Sequence, residues 1–130
     1  MDEDPADPVA TLVMSIGGTT FYPEPADGPS AEAFFSMLEK GPMRMVLKGD
    51  GDCMVSDSAC SLPYAGSQQR VEEGDLLLCA DGRIAVRRSA GFQEAALLAR
   101  TRYRREFLPE ALSGDAAKAA IWLEWSERGS

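Results

Sequence analysis

VEEGDLLLCADGRIAVRR, Val71–Arg88, reads as a tight turn at Glu73-Gly74-Asp75, an apolar run Leu76–Ala80, an Asp81-Gly82 turn and an alternating strand Arg83–Arg88. Asp-Gly between two such runs is among the strongest short-range hairpin signals, because both residues tolerate the positive φ of the favoured two-residue turn. The middle of the chain is therefore antiparallel β. The stretch carries architecture and no chemistry of its own.

Upstream, Val9–Ile16 alternates, with Ala10, Leu12, Met14 and Ile16 on one face. Gly17-Gly18 then turns the chain into a return strand at Thr19–Tyr22. Pro23, Pro25, Gly28 and Pro29 break regular structure. A helix follows, with Ser30 as the expected N-cap, Glu32 in the first turn and an apolar stripe of Phe34, Phe35, Met37 and Leu38. Lys40 suits its last turn, Gly41 its end, and Pro42 forbids continuation. Met43–Lys48 is a short strand, Gly49–Asp52 a turn, and Cys53–Ser56 pairs back. Asp57–Arg70 reads as a long polar loop around Tyr64.

Downstream, Phe92–Arg105 has helix-forming composition, Phe107–Leu112 is a short helical turn, and Ala117–Trp125 is the last strand. Trp122 and Trp125 are three apart on that strand and face opposite sides, which predicts one of them in the core. Strands, one main helix and more strands imply a mostly antiparallel sheet curled into a small closed or partly open β-barrel, the helix covering one end. Residues 9–126 form the single domain, with a flexible acidic tail at 1–8 and a short tail at 127–130.

A chain of 130 residues with 45% hydrophobic content can build one core, burying roughly two-thirds of its unfolded surface. No apolar run reaches the roughly 20 residues that span a bilayer. The start, MDEDPADP, is acidic where a signal peptide is basic and apolar. Cys53, Cys60 and Cys79 are odd in number with no close pair, which predicts free thiols and a cytoplasmic location. The formal charge of −8 argues against nucleic acid as a partner. That charge is unevenly spread. Residues 1–40 hold eight acids against one base, and residues 81–105 hold seven arginines against two acids.

The chain has no histidine, which removes the commonest general base at neutral pH and every Ser-His-Asp or Cys-His mechanism not completed by another chain. The cysteine spacing lacks the paired pattern of a zinc ribbon. Asp50-Gly51-Asp52 invites a calcium reading, but the twelfth position counted from Asp50 is Ser61 where a loop of that kind needs Glu. No catalytic residue, metal or cofactor is expected. A faint hydrolase pattern at Gly51-Asp52-Cys53-Met54 would place Arg87 where a lysine base belongs, and arginine stays protonated.

The order of elements resembles the bacterial and archaeal family of small proteins with a cyclophilin-like fold. The resemblance runs from about Val9 to Trp125. It rests on the Gly17-Gly18 hairpin, the helix start Ser30-Ala31-Glu32-Ala33-Phe34-Phe35, the Lys48–Asp52 turn, Gly74-Asp75 opening the central hairpin, and the closing Leu108–Gly114 turn with its last strand. The resemblance implies an extended conformation at Ala95–Arg102, against helix propensity. Relatives often carry Trp-Gly-(Asp/Glu)-Glu and an aromatic near Lys48–Val55, where this chain has Gly49-Asp50-Gly51-Asp52-Cys53-Met54. Cyclophilins isomerise X-Pro bonds with an arginine in a Phe-His-Arg context. That motif is absent, so no isomerase residue carries over.

The expected function is a non-catalytic binding module for a small anionic ligand or an extended peptide. Arg44, Arg87, Arg88 and Arg102, with Tyr64 on the long loop, are the candidate ligand-binding residues, since guanidinium forks pair with carboxylates and phosphates. The alternatives are a prolyl isomerase with a non-standard site and a protein that docks on a partner through its long loop or a sheet edge.

Overall fold

The structure is a computed structural model and describes residues 8–127. Ten strands form one curled, antiparallel sheet: β1 (Pro8–Ile16), β2 (Thr19–Phe21), β3 (Glu24–Pro25), β4 (Met43–Asp50), β5 (Cys53–Ala59), β6 (Ser67–Val71), β7 (Asp75–Leu78), β8 (Arg83–Arg87), β9 (Gly91–Arg100) and β10 (Ala116–Glu127). Helix α1 spans Pro29–Glu39, and a 3₁₀ turn (Arg105–Phe107) leads into the single turn α2 (Leu108–Ala111). The sheet order is β2-β1-β10-β4-β5-β8-β7-β9-β3, with β6 attached to β9. The two end strands, β2 and β3, do not pair with one another, so the barrel is open on one side.

The central hairpin forms, but on a longer turn than Asp81-Gly82 alone: β7 ends at Leu78, Cys79 and Ala80 join the turn, and Gly82 but not Asp81 takes a positive φ. Leu76, Leu77 and Leu78 pair with Val86, Ala85 and Ile84. Gly82 takes a φ of 89°, and a Cβ there would lie 2.8 Å from the Cys60 carbonyl oxygen. The run Leu76–Leu78 is continuously apolar because the sheet is covered on both faces here. Leu76 and Leu78 enter the main core with Met14, Ile16, Phe21 and Phe34. Leu77 enters a second, smaller core with Cys53, Val71, Ala85 and Ala95.

That second core needs a cover, and β6 supplies it. The stretch 57–70, read as a long loop, is strand at both ends: β5 continues to Ala59, and Ser67–Val71 pairs with Ala95–Gly91. Only the segment between them, 60–66, is loop. The polar sequence Ser67-Gln68-Gln69-Arg70 concealed β6, since just Val71 of that strand is buried. Strand β9 serves both layers, pairing with β6 through its first half and β7 through its second. Phe92–Arg105 is thus strand as far as Arg100, its helix-forming composition overridden by pairing on both edges.

Helix α1 starts two residues earlier than its sequence suggests. Gly28 is the N-cap and Pro29 the first helical residue. Ser30 lies inside the first turn and ties the helix to the 60–66 loop. Its hydroxyl donates to the Pro63 carbonyl (2.7 Å) and accepts from the Ala65 N–H (2.8 Å). Neither tryptophan is in the core: Trp122 is half-buried and Trp125 is 52% exposed, because β10 outruns the helix that covers its inner face. Of the expected tails, Pro8 belongs to β1 and Glu127 to β10, and the rest lies outside the described residues.

Candidate functional site

The four candidate arginines do not share a cleft. Arg87 is 5% exposed on β8 and faces β5. Its Nε donates to the Ser89 carbonyl (2.9 Å), and its Nη1 to Gln93 Oε1 (3.1 Å) and to Cys53 Sγ (3.8 Å). Arg88 reaches three backbone carbonyls, those of Gly51 (2.7 Å), Gly114 (3.4 Å) and Leu112 (3.5 Å). It thereby ties the β4–β5 turn to the approach to β10. Arg102 is held by Glu24 at 2.7 Å across the β3–β9 edge, with both side chains about half exposed. Tyr64 belongs to the 60–66 loop, its ring over Gly66 and its hydroxyl donating to Glu94 Oε2 (3.4 Å). Desolvation and the adjacent Glu94 carboxylate push its phenol above the ordinary value.

Arg44 differs. Its exposed side chain has neither a hydrogen bond nor an ion pair among the described residues, and it stands where two surface grooves meet. The larger groove, of about 950 Å³, follows from the register of the outer sheet face. Ser15 of β1 pairs with Ala120 of β10, which pairs with Arg44 of β4; one step along, Lys118 pairs with Val46. Small side chains at 15 and 120, and the Gly17-Gly18 turn at the rim, leave a depression. Arg44 and Lys118 stand over it as long cationic arms.

The far wall exists because β5 leaves β4. Their ladder stops at Leu47–Ser56. The next N–H, that of Val46, donates to the Asp57 carboxylate (3.3 Å). Beside it the Ser56 hydroxyl accepts from the Ile84 N–H (3.0 Å) and donates to the Ser58 carbonyl (2.7 Å), stabilising an irregularity in the β5–β8 register between Val55 and Ala59. A second groove of about 510 Å³ runs on from Arg44 between the end of α1 and β10, past Lys40, Pro42, Trp122, Leu123 and Trp125.

Sequence reasoning reached Arg44 and missed Lys118, Asp57 and Ser15. The three come from different strands, and only the register joins them. The one available signal is the alternation of β10, which sets Lys118 on the face opposite Ala119 and Ile121.

Cys53 is buried and Cys60 and Cys79 are half-buried, all three free. Burial raises each above the ordinary thiol value; for Cys53 it outweighs the opposing pull of Arg87. Cys53 and Arg87 of the faint hydrolase pattern do lie side by side, Nη1 3.8 Å from Sγ, but arginine cannot take a proton from the thiol. Among the described residues no group of three His, Cys, Asp or Glu side chains is placed to hold a metal ion. Among the described residues no helix is long and apolar enough to cross a membrane. No protein-family model, no curated protein and no solved structure matches the chain.

Proposed function

We propose that this protein is a non-catalytic binding module, cyclophilin-like in its order of elements, that takes a small anionic ligand or an acidic extended peptide in the groove at Arg44. The observation that supports this reading is the contrast among the arginines. Arg87, Arg88 and Arg102 are engaged by the protein itself, whereas Arg44 stands beside Lys118 over a groove large enough for a metabolite or several peptide residues. A guanidinium and an ammonium on one side of a shallow depression suit a carboxylate or phosphate. The floor of small side chains lets the ligand lie flat against the sheet.

A thermal-shift screen against di- and tricarboxylates, phosphate esters and short glutamate- or proline-containing peptides tests the proposal. A ligand at about 100 times its dissociation constant adds about 2.7 kcal/mol to the native state, which raises the midpoint by several degrees. The expected result is a shift with at least one anionic class that disappears in Arg44→Ala and shrinks in Lys118→Ala. A shift that both variants keep overturns the site, and no shift with any class overturns the proposal.

A further inference from the structure

Strand β10 has an unpaired edge whose sequence is complementary to itself. Its register with β4 ends at Ile121–Met43, while its register with β1 continues to Glu127. From Trp122 to Glu127 the β4 side of β10 therefore has no strand beside it among the described residues. Two backbone bonds show which residues face that side. The Gly17 N–H donates to the Lys118 carbonyl (2.9 Å) from the β1 side, and the Gly49 N–H donates to the Asp115 carbonyl (2.9 Å) from the β4 side. Bonding directions alternate along an antiparallel strand. Even-numbered residues thus turn toward β1, and Leu123, Trp125 and Glu127 present their N–H and C=O groups to the open side.

Exposed edges are ordinarily blunted by brevity, proline, lysine or a bulge. The two ends of this sheet follow that pattern: β2 has three residues, and β3 has two, one of them Pro25. The β10 edge has only Glu124 and Glu127 to blunt it. It runs about 20 Å over six residues, contains neither proline nor lysine, and carries two tryptophans, of which Trp125 is 52% exposed. The groove between this edge and Leu38–Pro42 leaves room alongside it.

We infer that this edge pairs antiparallel with the same edge of a second copy, extending the sheet through β10 into a symmetric dimer. The register centred on Trp125 sets Trp125 against the second copy's Trp125, Glu124 against Ser126, and Leu123 against Glu127. It joins about six backbone hydrogen bonds and an aromatic cross-strand pair without opposing two like charges. The register centred on Glu124 would set two carboxylates face to face and is disfavoured. An isologous contact of this kind closes at two copies. Each chain carries a formal charge of −8, so the copies repel at long range and the dimer tightens as salt rises. An acidic segment of another protein, drawn to Lys40 and Arg44 beside the same edge, would bind more weakly as salt rises.

Sedimentation velocity of the full chain over a concentration series, at low and high sodium chloride, tests the inference. Amide exchange of Leu123 and Trp125 is followed in the same solutions. The expected result is a monomer–dimer equilibrium that tightens with salt, with both amides slowing as dimer accumulates. Trp125→Lys, a charge on an already exposed position, should weaken the dimer about tenfold or more while leaving the melting midpoint of the monomer in place. Tyr103→Lys, at an exposed aromatic elsewhere, should leave the dimer unchanged. A monomer at every concentration and salt overturns the inference, as does a dimer that survives Trp125→Lys. Protection of the two amides that appears only when a glutamate-rich peptide is added, and fades with salt, overturns it in favour of a foreign strand.

Discussion

Asp75 and Arg100 give the sharpest test of what holds this fold together. Asp75 opens β7 and is fully buried. Its carboxylate accepts three hydrogen bonds: from Arg100 Nε (2.8 Å), from Arg100 Nη2 (2.8 Å) and from the Glu72 N–H (2.8 Å). The forked pair joins the start of β7 to the end of β9, and the backbone bond closes the Glu72–Asp75 turn that aims the central hairpin. These hydrogen bonds raise the pKa of Arg100 further above the arginine value. The two partners differ in what they would lose. The Arg100 side chain is 23% exposed and has Glu72 4.0 Å away, so without Asp75 it keeps some water and a second anion. Asp75 without Arg100 keeps one N–H and no water.

Breaking a buried pair by removing one member costs about 3–5 kcal/mol, most of it from the charge left behind. Arg100→Met should fall within that range. Asp75→Asn, which leaves a neutral acceptor and a partly solvated cation, should cost about 1.5–3 kcal/mol, the worth of hydrogen bonds to a charged group. The double variant should then be less destabilised than the sum of the two, because its cavity holds no orphaned charge. Urea denaturation followed by tryptophan fluorescence and by circular dichroism measures all three. The reasoning fails if Asp75→Asn costs more than Arg100→Met, or if the two effects simply add.

Two further outcomes follow from other parts of the fold. The native thiols have raised pKa values, so above an unfolded value of about 8.5 the unfolded chain releases protons that the native one retains. Their contribution to stability is complete below that pH and lost as pH rises through it; the melting midpoint should decline from pH 8 to pH 10, less steeply in Cys79→Ala, and alkylation of the folded protein at pH 7.5 should be slow against a urea-unfolded control. Ser30→Ala removes the Pro63 and Ala65 bonds together and should cost about 1–2 kcal/mol by urea denaturation, with faster amide exchange at Ala65; a loss comparable to that of an exposed serine would show that α1 does not need this tether.

The parts of the fold that were legible in the sequence are those encoded by neighbours. Asp81-Gly82 and Gly17-Gly18 announce their hairpins, and Gly41-Pro42 ends the helix. What stayed hidden depends on distant pairing. Strand β6 is polar because one side of it faces water and its apolar contribution is a single residue, Val71, so it reads as loop until Ala95–Gly91 is set beside it. Ser30 is a good N-cap by type, but Gly28 takes that place with Pro29 at the first helical position, where proline starts a helix rather than breaking the chain, and this frees the Ser30 hydroxyl to hold the 60–66 loop. By alternation Trp125 shares its face of β10 with Ala119, Ile121 and Leu123. It is exposed because α1 ends before reaching it, a fact about relative length that alternation cannot contain.

The arginines make the same point about function. A cluster of seven within 81–105 reads either as charge neutralised across the fold or facing water, or as an anion-attracting face, and the structure engages most of that charge internally. Arg88 gathers carbonyls that no strand could reach, Arg100 neutralises Asp75, and Arg102 holds Glu24. Guanidinium groups suit this work because their donors are fixed in a fork and stay charged when partly desolvated. A guanidinium so engaged has little left for a ligand, since binding would first have to break those bonds. Availability is therefore a better guide to a binding arginine than local density, and it selects Arg44, an isolated arginine on a strand the charge pattern passed over. The same logic separates the two surfaces described above. The groove at Arg44 offers unspent charge and small side chains, while the β10 edge offers unspent backbone groups and aromatic area. The first suits an anion and the second a strand, so loss of one in Arg44→Ala and of the other in Trp125→Lys should be independent.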